Sequence, residues 1–225
     1  MPSSAKASLW NYDYTSGLIT TKTSFSQTYG YFEMKAELPG GPGLWPAFWL
    51  LPLDGSWPPE LDVMEMLGSD PNAIWTSVHT KETGVHTKSS VPQYLPNAGG
   101  MHTYGAYWTA TEIVWYVDGV EVFRAPTPAD MHKPMYMLAN LAVGGWAGAP
   151  NSSTMFPAQM KIDYISHLSH ELRTPLTAIR EASGMLEEGL FRDKPEKQRE
   201  LHTLIREDCE RLIRSVTRLL DFSMM

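Results

Sequence analysis

Glu60-Leu61-Asp62-Val63-Met64-Glu65 sets three carboxylates into six residues of an otherwise apolar run. Charge in such a run is costly unless the face that carries it is wet and used. Side chains alternate between the two faces of a strand, so Glu60 and Asp62 share one face. Glu65, an odd number of residues from Glu60, would point into the core of a regular strand. One extra residue, a β-bulge at Val63 or Met64, returns it to the face of Glu60, and bulges are frequent beside active sites. The hexapeptide therefore reads as a bulged strand with one acidic face.

The flanking chain keeps the strand period of two from Tyr14 to Ile165. Phe32, Met34, Ala36 and Leu38 alternate with Tyr31, Glu33, Lys35 and Glu37, and Ile74, Thr76 and Val78 alternate with Trp75, Ser77 and His79. Ile113, Trp115 and Val117 lead into Asp118-Gly119, a two-residue turn signal, and Val120 and Val122 lead out, which predicts a hairpin. Gly40-Gly41-Pro42-Gly43, Pro58-Pro59 and Asn97 to Gly100 punctuate the rest. With no amphipathic helix in this region, an antiparallel β-sandwich is expected. Its many Trp residues belong for the most part to the sandwich core, with Trp57 and Trp49, the choices nearest the acids, assigned to a cleft.

Residue usage divides the chain near Ile165. All eight Trp and all ten Tyr precede that point, as do fifteen of seventeen Gly, while the remaining sixty residues are rich in Leu, Glu and Arg. Two modules are therefore expected, 1–165 and 166–225. The net charge of −7 sits mostly on the first and argues against nucleic acid or an anionic membrane surface as partner. The lone Cys209 excludes an intramolecular disulfide, and neither a membrane span nor a leader peptide is found in the sequence, so the compartment stays unassigned.

With the bulge absorbed, the Cα atoms of Glu60 and Glu65 stand roughly 13 Å apart. Side chains leaning together bring the carboxyls toward the ~5–5.5 Å of a retaining glycosidase pair. One Glu would attack an anomeric carbon, the other would donate and then recover a proton, and Asp62 between them would hold their pKa values apart. A solvated edge face or a calcium site remains the alternative at this point.

The hexapeptide resembles the signature of glycoside hydrolase family 16, in the bulged form of laminarinases and bacterial exopolysaccharide glycanases. Tyr14 to Thr21, Tyr29 to Leu38, Gly43 to Pro52, Val114 to Gly119, Tyr136 to Gly145 and Ile162 to Ile165 are similar to that family's strands. The resemblance implies a jelly-roll, concanavalin-like sandwich with Glu60 as nucleophile, Asp62 as its assistant and Glu65 as acid/base. It implies Trp57 and Trp49 as sugar-stacking residues, and His79 and Asn140 as cleft residues. The substrate implied is a β-glucan or related exopolysaccharide, and Asp163 would be the surviving ligand of a structural calcium. No catalytic metal is expected. The family's usual strands ahead of Tyr14 and the Arg-Val-Tyr-like run after Ile165 are not matched, so exposed sheet edges are expected.

After Ile165 the period turns helical. Leu168, Leu172, Leu176, Ile179, Leu186 and Leu190 form one stripe, a break spans Arg192 to Pro195, and Leu201, Leu204, Ile205, Leu212, Val216, Leu219 and Leu220 form a second. Two helices with one stripe each bury little alone, so dimerisation into a four-helix bundle is expected. The whole chain is thus expected to be an α+β multidomain protein. Ser169-His170-Glu171-Leu172-Arg173-Thr174-Pro175 resembles the phosphoacceptor box of sensor histidine kinases. That resemblance implies His170 as phosphoacceptor, Glu171 as its proton acceptor, Thr174 as a residue for dephosphorylating a partner aspartate, and Pro175 as a helix bend. Without an ATP-binding domain in the sequence, the partners implied are a kinase catalytic domain in trans or a response regulator. Three readings follow: a glycan hydrolase with a helical dimeriser, a signalling fragment with a non-catalytic glycan-binding sandwich, or an artificial fusion with neither activity.

Overall fold

The computed structural model describes residues 12–95, 100–168 and 170–223, without the side chains of 168–174 and 214–223. The turn signal at Asn97 to Gly100 thus lies almost wholly outside the described residues. The chain divides into two compact units, Met1–His167 and Leu168–Met225.

The first unit is built from two antiparallel sheets. One orders its strands as β1 (Gly17–Thr20), β10 (Met135–Val143), β3 (Leu44–Pro52), β4 (Glu60–Met66), β5 (Ala73–Thr80) and β6 (Thr87–Tyr94). The other orders β11 (Lys161–Leu168), β2 (Gly30–Glu37), β7 (Met101–Trp108), β8 (Glu112–Val117) and β9 (Val120–Pro126). The alternation read in β2 is real, since its burial pattern alternates along the strand. Phe32, Met34 and Ala36 from β2 join Phe48 and Leu50 from β3, Leu61 and Met64 from β4, and Trp108 and Trp115 from the facing sheet in one core. The hairpin forms as expected, with Asp118 and Gly119 both at positive φ, the backbone that a two-residue turn between right-twisted strands requires.

The bulge falls where parity demands it. Trp49 lies opposite Asp62 and Phe48 opposite Met64, so Val63 is the extra residue against β3. On the other side Asp62 faces Ser77 and Glu65 faces Trp75. A bulge disturbs the ladder and can orphan a backbone group. Trp115, fully buried on β8, donates its indole N–H to the Asp62 carbonyl at 2.8 Å and fastens this irregular backbone across the core.

Two boundaries differ from expectation. Ser166, His167 and Leu168 continue β11 as strand, so Leu168 closes a sheet element rather than opening the helical stripe. His167 packs its ring 3.9 Å from that of Phe25, an anchor that carries the extended backbone past Ile165. In the second unit, α1 (His170–Glu187) stops before the expected break. Gly189 at φ 69° accepts the left-handed conformation, and the Gly189 and Leu190 amides donate back to the Leu186 and Met185 carbonyls, which closes the helix end. Leu190 therefore lies in the turn, 60% exposed, instead of on the helical stripe. α2 (Pro195–Ser223) begins at a proline, which suits a first helical turn because its amide would lack an acceptor there. Leu176 and Leu204 also remain exposed within the single chain. Neither helix is long and apolar enough to cross a membrane, among the described residues. The stripe positions Leu168, Leu172, Val216, Leu219 and Leu220 have side chains outside the described residues, as do His170, Glu171 and Thr174.

Candidate active site

The face of the six-stranded sheet turned away from the core carries a groove of about 330 Å³, lined from β1, β3, β4 and β10. Register builds its wall in rows. Asn140, Ala47, Glu65 and Trp75 follow one another across β10, β3, β4 and β5, and the next row runs Trp49, Asp62, Ser77. A third row runs Glu60, His79, Lys88 across β4, β5 and β6. Glu60, Asp62 and Glu65 thus share one wall of the groove, because the extra residue restores Glu65 to it.

Each acid has its own environment. Glu60 is half-buried and accepts a 2.7 Å hydrogen bond from Trp57 Nε1. Asp62 is 1% exposed. Its Oδ2 lies 3.2 Å from His79 Nε2 without an aligned hydrogen bond. Burial, and then the neighbouring Glu60 carboxylate, push the Asp62 carboxyl well above the usual range. Glu65 is 9% exposed and accepts a 3.0 Å hydrogen bond from Trp45 Nε1. Burial first, and Asp62 second, raise its pKa to about 8, against the lowering effect of the Trp45 bond. A carboxyl so placed keeps its proton at neutral pH and can deliver it.

Of the four flanking residues expected at the cleft, Trp49 and Asn140 line the groove, while Trp57 and His79 adjoin its acids Glu60 and Asp62. Trp57 is 56% exposed beside Glu60. Trp49 donates at 2.8 Å to Asn140 Oδ1, and Asn140 donates in turn to the Trp45 carbonyl. His79 reaches Asp62 with one nitrogen and His86 with the other. Glu60, Asp62 and His79 gather donor atoms within 4.8 Å of one another. Trp57 and His86 already engage this trio, so it is read as a hydrogen-bonding network. Asp163, the residue left by the resemblance for calcium, is ion-paired with Lys35 at 2.8 Å.

The expectation that most Trp residues fill the core fails. Only Trp108 and Trp115 among the described ones are core residues; Trp45, Trp49 and Trp75 are half-buried on the cleft face, and Trp57 and Trp146 are exposed. Their positions have the parity of the acids, which overrides the general tendency of Trp to bury. Trp45, which holds Glu65, was not singled out from sequence, although it shares its strand face with Trp49. Gly145, at φ 60°, lies under the Trp45 ring, where a Cβ would come within 2.8 Å of it. His86, Lys88 and Trp146 were likewise missed, because the loop and strand that bring them to the cleft show no acidic pattern.

Two protein families match the chain. Residues 2–166 match the glycosyl hydrolases family 16, and residues 160–225 match the His Kinase A (phospho-acceptor) domain. The endo-1,3-1,4-beta-glycanase ExsH of Rhizobium meliloti (strain 1021) is 57% identical over 164 residues, covering 73% of this chain and 35% of that protein. The endo-1,3-1,4-beta-glycanase EglC of the same organism is 56% identical, covering 70% of this chain and 34% of that protein. The chain thus spans about a third of these relatives. The laminarinase catalytic domain of Thermotoga maritima MSB8 superposes with a TM-score of 0.65 at 34% identity, covering 70% of each chain.

Proposed function

The chain belongs to family 16 of the glycosyl hydrolases, and from that premise we propose that its sandwich hydrolyses internal bonds of a β-1,3 or mixed-linkage glucan, or a related exopolysaccharide, with retention. The observation that carries this reading is the bulge, which seats Glu60, Asp62 and Glu65 along one groove with Glu65 held protonated. Glu60, whose carboxylate is oriented by Trp57, attacks the anomeric carbon as the Glu65 proton passes to the leaving oxygen. The Glu65 carboxylate left behind then takes a proton from water, which opens the glycosyl-Glu60 ester. Asp62, kept between them, discourages simultaneous ionisation of the acids. The exposed face of Trp57 offers a stacking surface for a sugar ring, and Trp49 with Asn140 offers a second wall.

Reducing-sugar release from laminarin and lichenan tests the reading. Glu60→Gln is expected to lower turnover about 10,000-fold. Equal rates for the two proteins would overturn it. NMR of the first-formed product is expected to show the β-anomer.

The match of residues 160–225 supports a second, separate activity for the other unit. His170 accepts phosphate there, with Glu171 and Thr174 as its neighbours on α1, in a hairpin that dimerises. Radiolabel transfer from an added kinase catalytic domain, lost in His170→Ala, checks it; label retained in that variant would sink it.

A further inference from the structure

His79 stands between the acids and a second imidazole that the reaction above does not use. Its Nε2 is 3.2 Å from Asp62 Oδ2 and 4.0 Å from Glu60 Oε1. Its Nδ1 is 2.9 Å from Nε2 of His86, which is exposed in the turn before β6. The two rings are parallel to within 13°, and the Trp57 ring lies 4.8 Å from that of His86. An N···N separation of that length requires one ring to donate and the other to accept, so each ring's proton position dictates its neighbour's. The buried Asp62 Oδ2 makes no aligned hydrogen bond, and the Glu60 carboxyl beside it raises its affinity for a proton.

We propose that His86 is a positioning residue for the hydrolytic site, which fixes the tautomer of His79 and gives the buried Asp62 a proton path to solvent. The inference rests on the hydrolytic reading above. When the His86 Nε2–H donates to His79 Nδ1, His79 must carry its own proton on Nε2, facing ionised Asp62. In the opposite arrangement His79 donates from Nδ1 to His86, and its bare Nε2 can meet only a protonated Asp62. Passage from the second to the first is balanced. The Asp62 proton moves to His79 Nε2, the Nδ1 proton of His79 moves to His86 Nε2, and the imidazolium so formed at His86 releases its Nδ1 proton to water. One proton leaves the buried carboxyl, and no other group changes charge.

The surroundings fit a path of this kind. Glu60, Asp62 and Glu65 face His79 from β4, Lys88 faces it from β6, and Trp57 covers the pair from the preceding loop. Burial lowers the affinity of His79 for a second proton, while Glu60 and Glu65 oppose that effect and Lys88 adds to it. Burial thus disfavours charge on His79, while the ring of His86 is open to solvent.

The test compares His86→Phe, which keeps an aromatic ring beside Trp57, with His86→Gln, whose amide nitrogen can donate to His79 Nδ1 without titrating. In the full chain on laminarin, His86→Phe is expected to lower kcat on the order of tenfold. KM should change little, and the acid limb should move to higher pH because ionised Asp62 loses its enforced donor. His86→Gln is expected to restore the position of the limb but only part of kcat, because an amide can hold the His79 tautomer and cannot relay a proton. Nitrogen NMR shifts of the imidazoles, read without substrate on the alkaline side where Asp62 is ionised, are expected to place the His79 proton on Nε2 in the parent and His86→Gln proteins but not in His86→Phe. Unchanged kcat and acid limb in His86→Phe, an acid limb displaced equally in both variants, or His79 shifts indifferent to residue 86 would each overturn the proposal. If the parent releases no sugar while the imidazole shifts respond as stated, the hydrolytic reading fails and the His79 tautomer assignment stands.

Discussion

β4 and β1 lie in the same sheet, and they are held in opposite ways. β4 has a partner on each side, six of its seven residues buried, and an indole from the facing sheet on its one irregular carbonyl. Among the described residues β1 ends the sheet order, pairs only with β10 and has all four residues exposed, Leu18 and Ile19 at 54% each. The apolar edge expected from the sequence is there. A chemical site needs its acids held at fixed separation, and such precision is available where neighbours constrain the backbone from every side. The sheet margin supplies surface to the same groove through Ser16 and Leu18 but fixes none of the acids.

The contrast can be broken at its strongest point first. Trp115→Phe should destabilise the sandwich by about 2 kcal/mol, because it leaves the buried Asp62 carbonyl without a donor. Denaturant unfolding measures this, and activity should fall with it as the bulge relaxes. A subtler change concerns the charge of Glu65. With its pKa near 8, the alkaline limb of kcat/KM should lie there, and Trp45→Phe should move it upward by removing the bond that favours the anion. A pH profile of both proteins decides the sign. The same elevation affects stability: the contribution of protonated Glu65 is complete below the ordinary carboxyl value near 4.5 and is lost as pH rises through about 8. The weakest effect belongs to the margin. Ile19→Thr should change unfolding free energy by no more than about 0.5 kcal/mol, since the side chain is already half in water.

The two units also differ in how far their sequences could be read. In the sandwich, alternation fixed which residues face inward, and parity alone required the bulge that Val63 supplies. In the hairpin, apolar spacing located two helices but not their ends. Gly189 stops α1 three residues before the expected break at Arg192, because capping depends on backbone conformation, which periodicity does not register. Leu168 likewise fits a helical stripe by spacing and yet closes a strand, since a sheet neighbour can recruit residues that either period would accept.

The family resemblance named His79 and Asn140 as cleft candidates; from the amino-acid order alone came the acidic strand with Glu60, Asp62 and Glu65, the need for one inserted residue and the two-module division. Those features are local, set by side-chain type and by the fixed periods of strand and helix. Only tertiary structure decided that Trp45 holds Glu65, that Trp115 secures the bulge from the opposite sheet, and that His86 meets His79. These three pairs are joined by register, by a turn and by packing across the core, which residue type and period do not specify. The hexapeptide supplies the acids; residues twenty and more positions away set the polarity, rigidity and proton traffic around them.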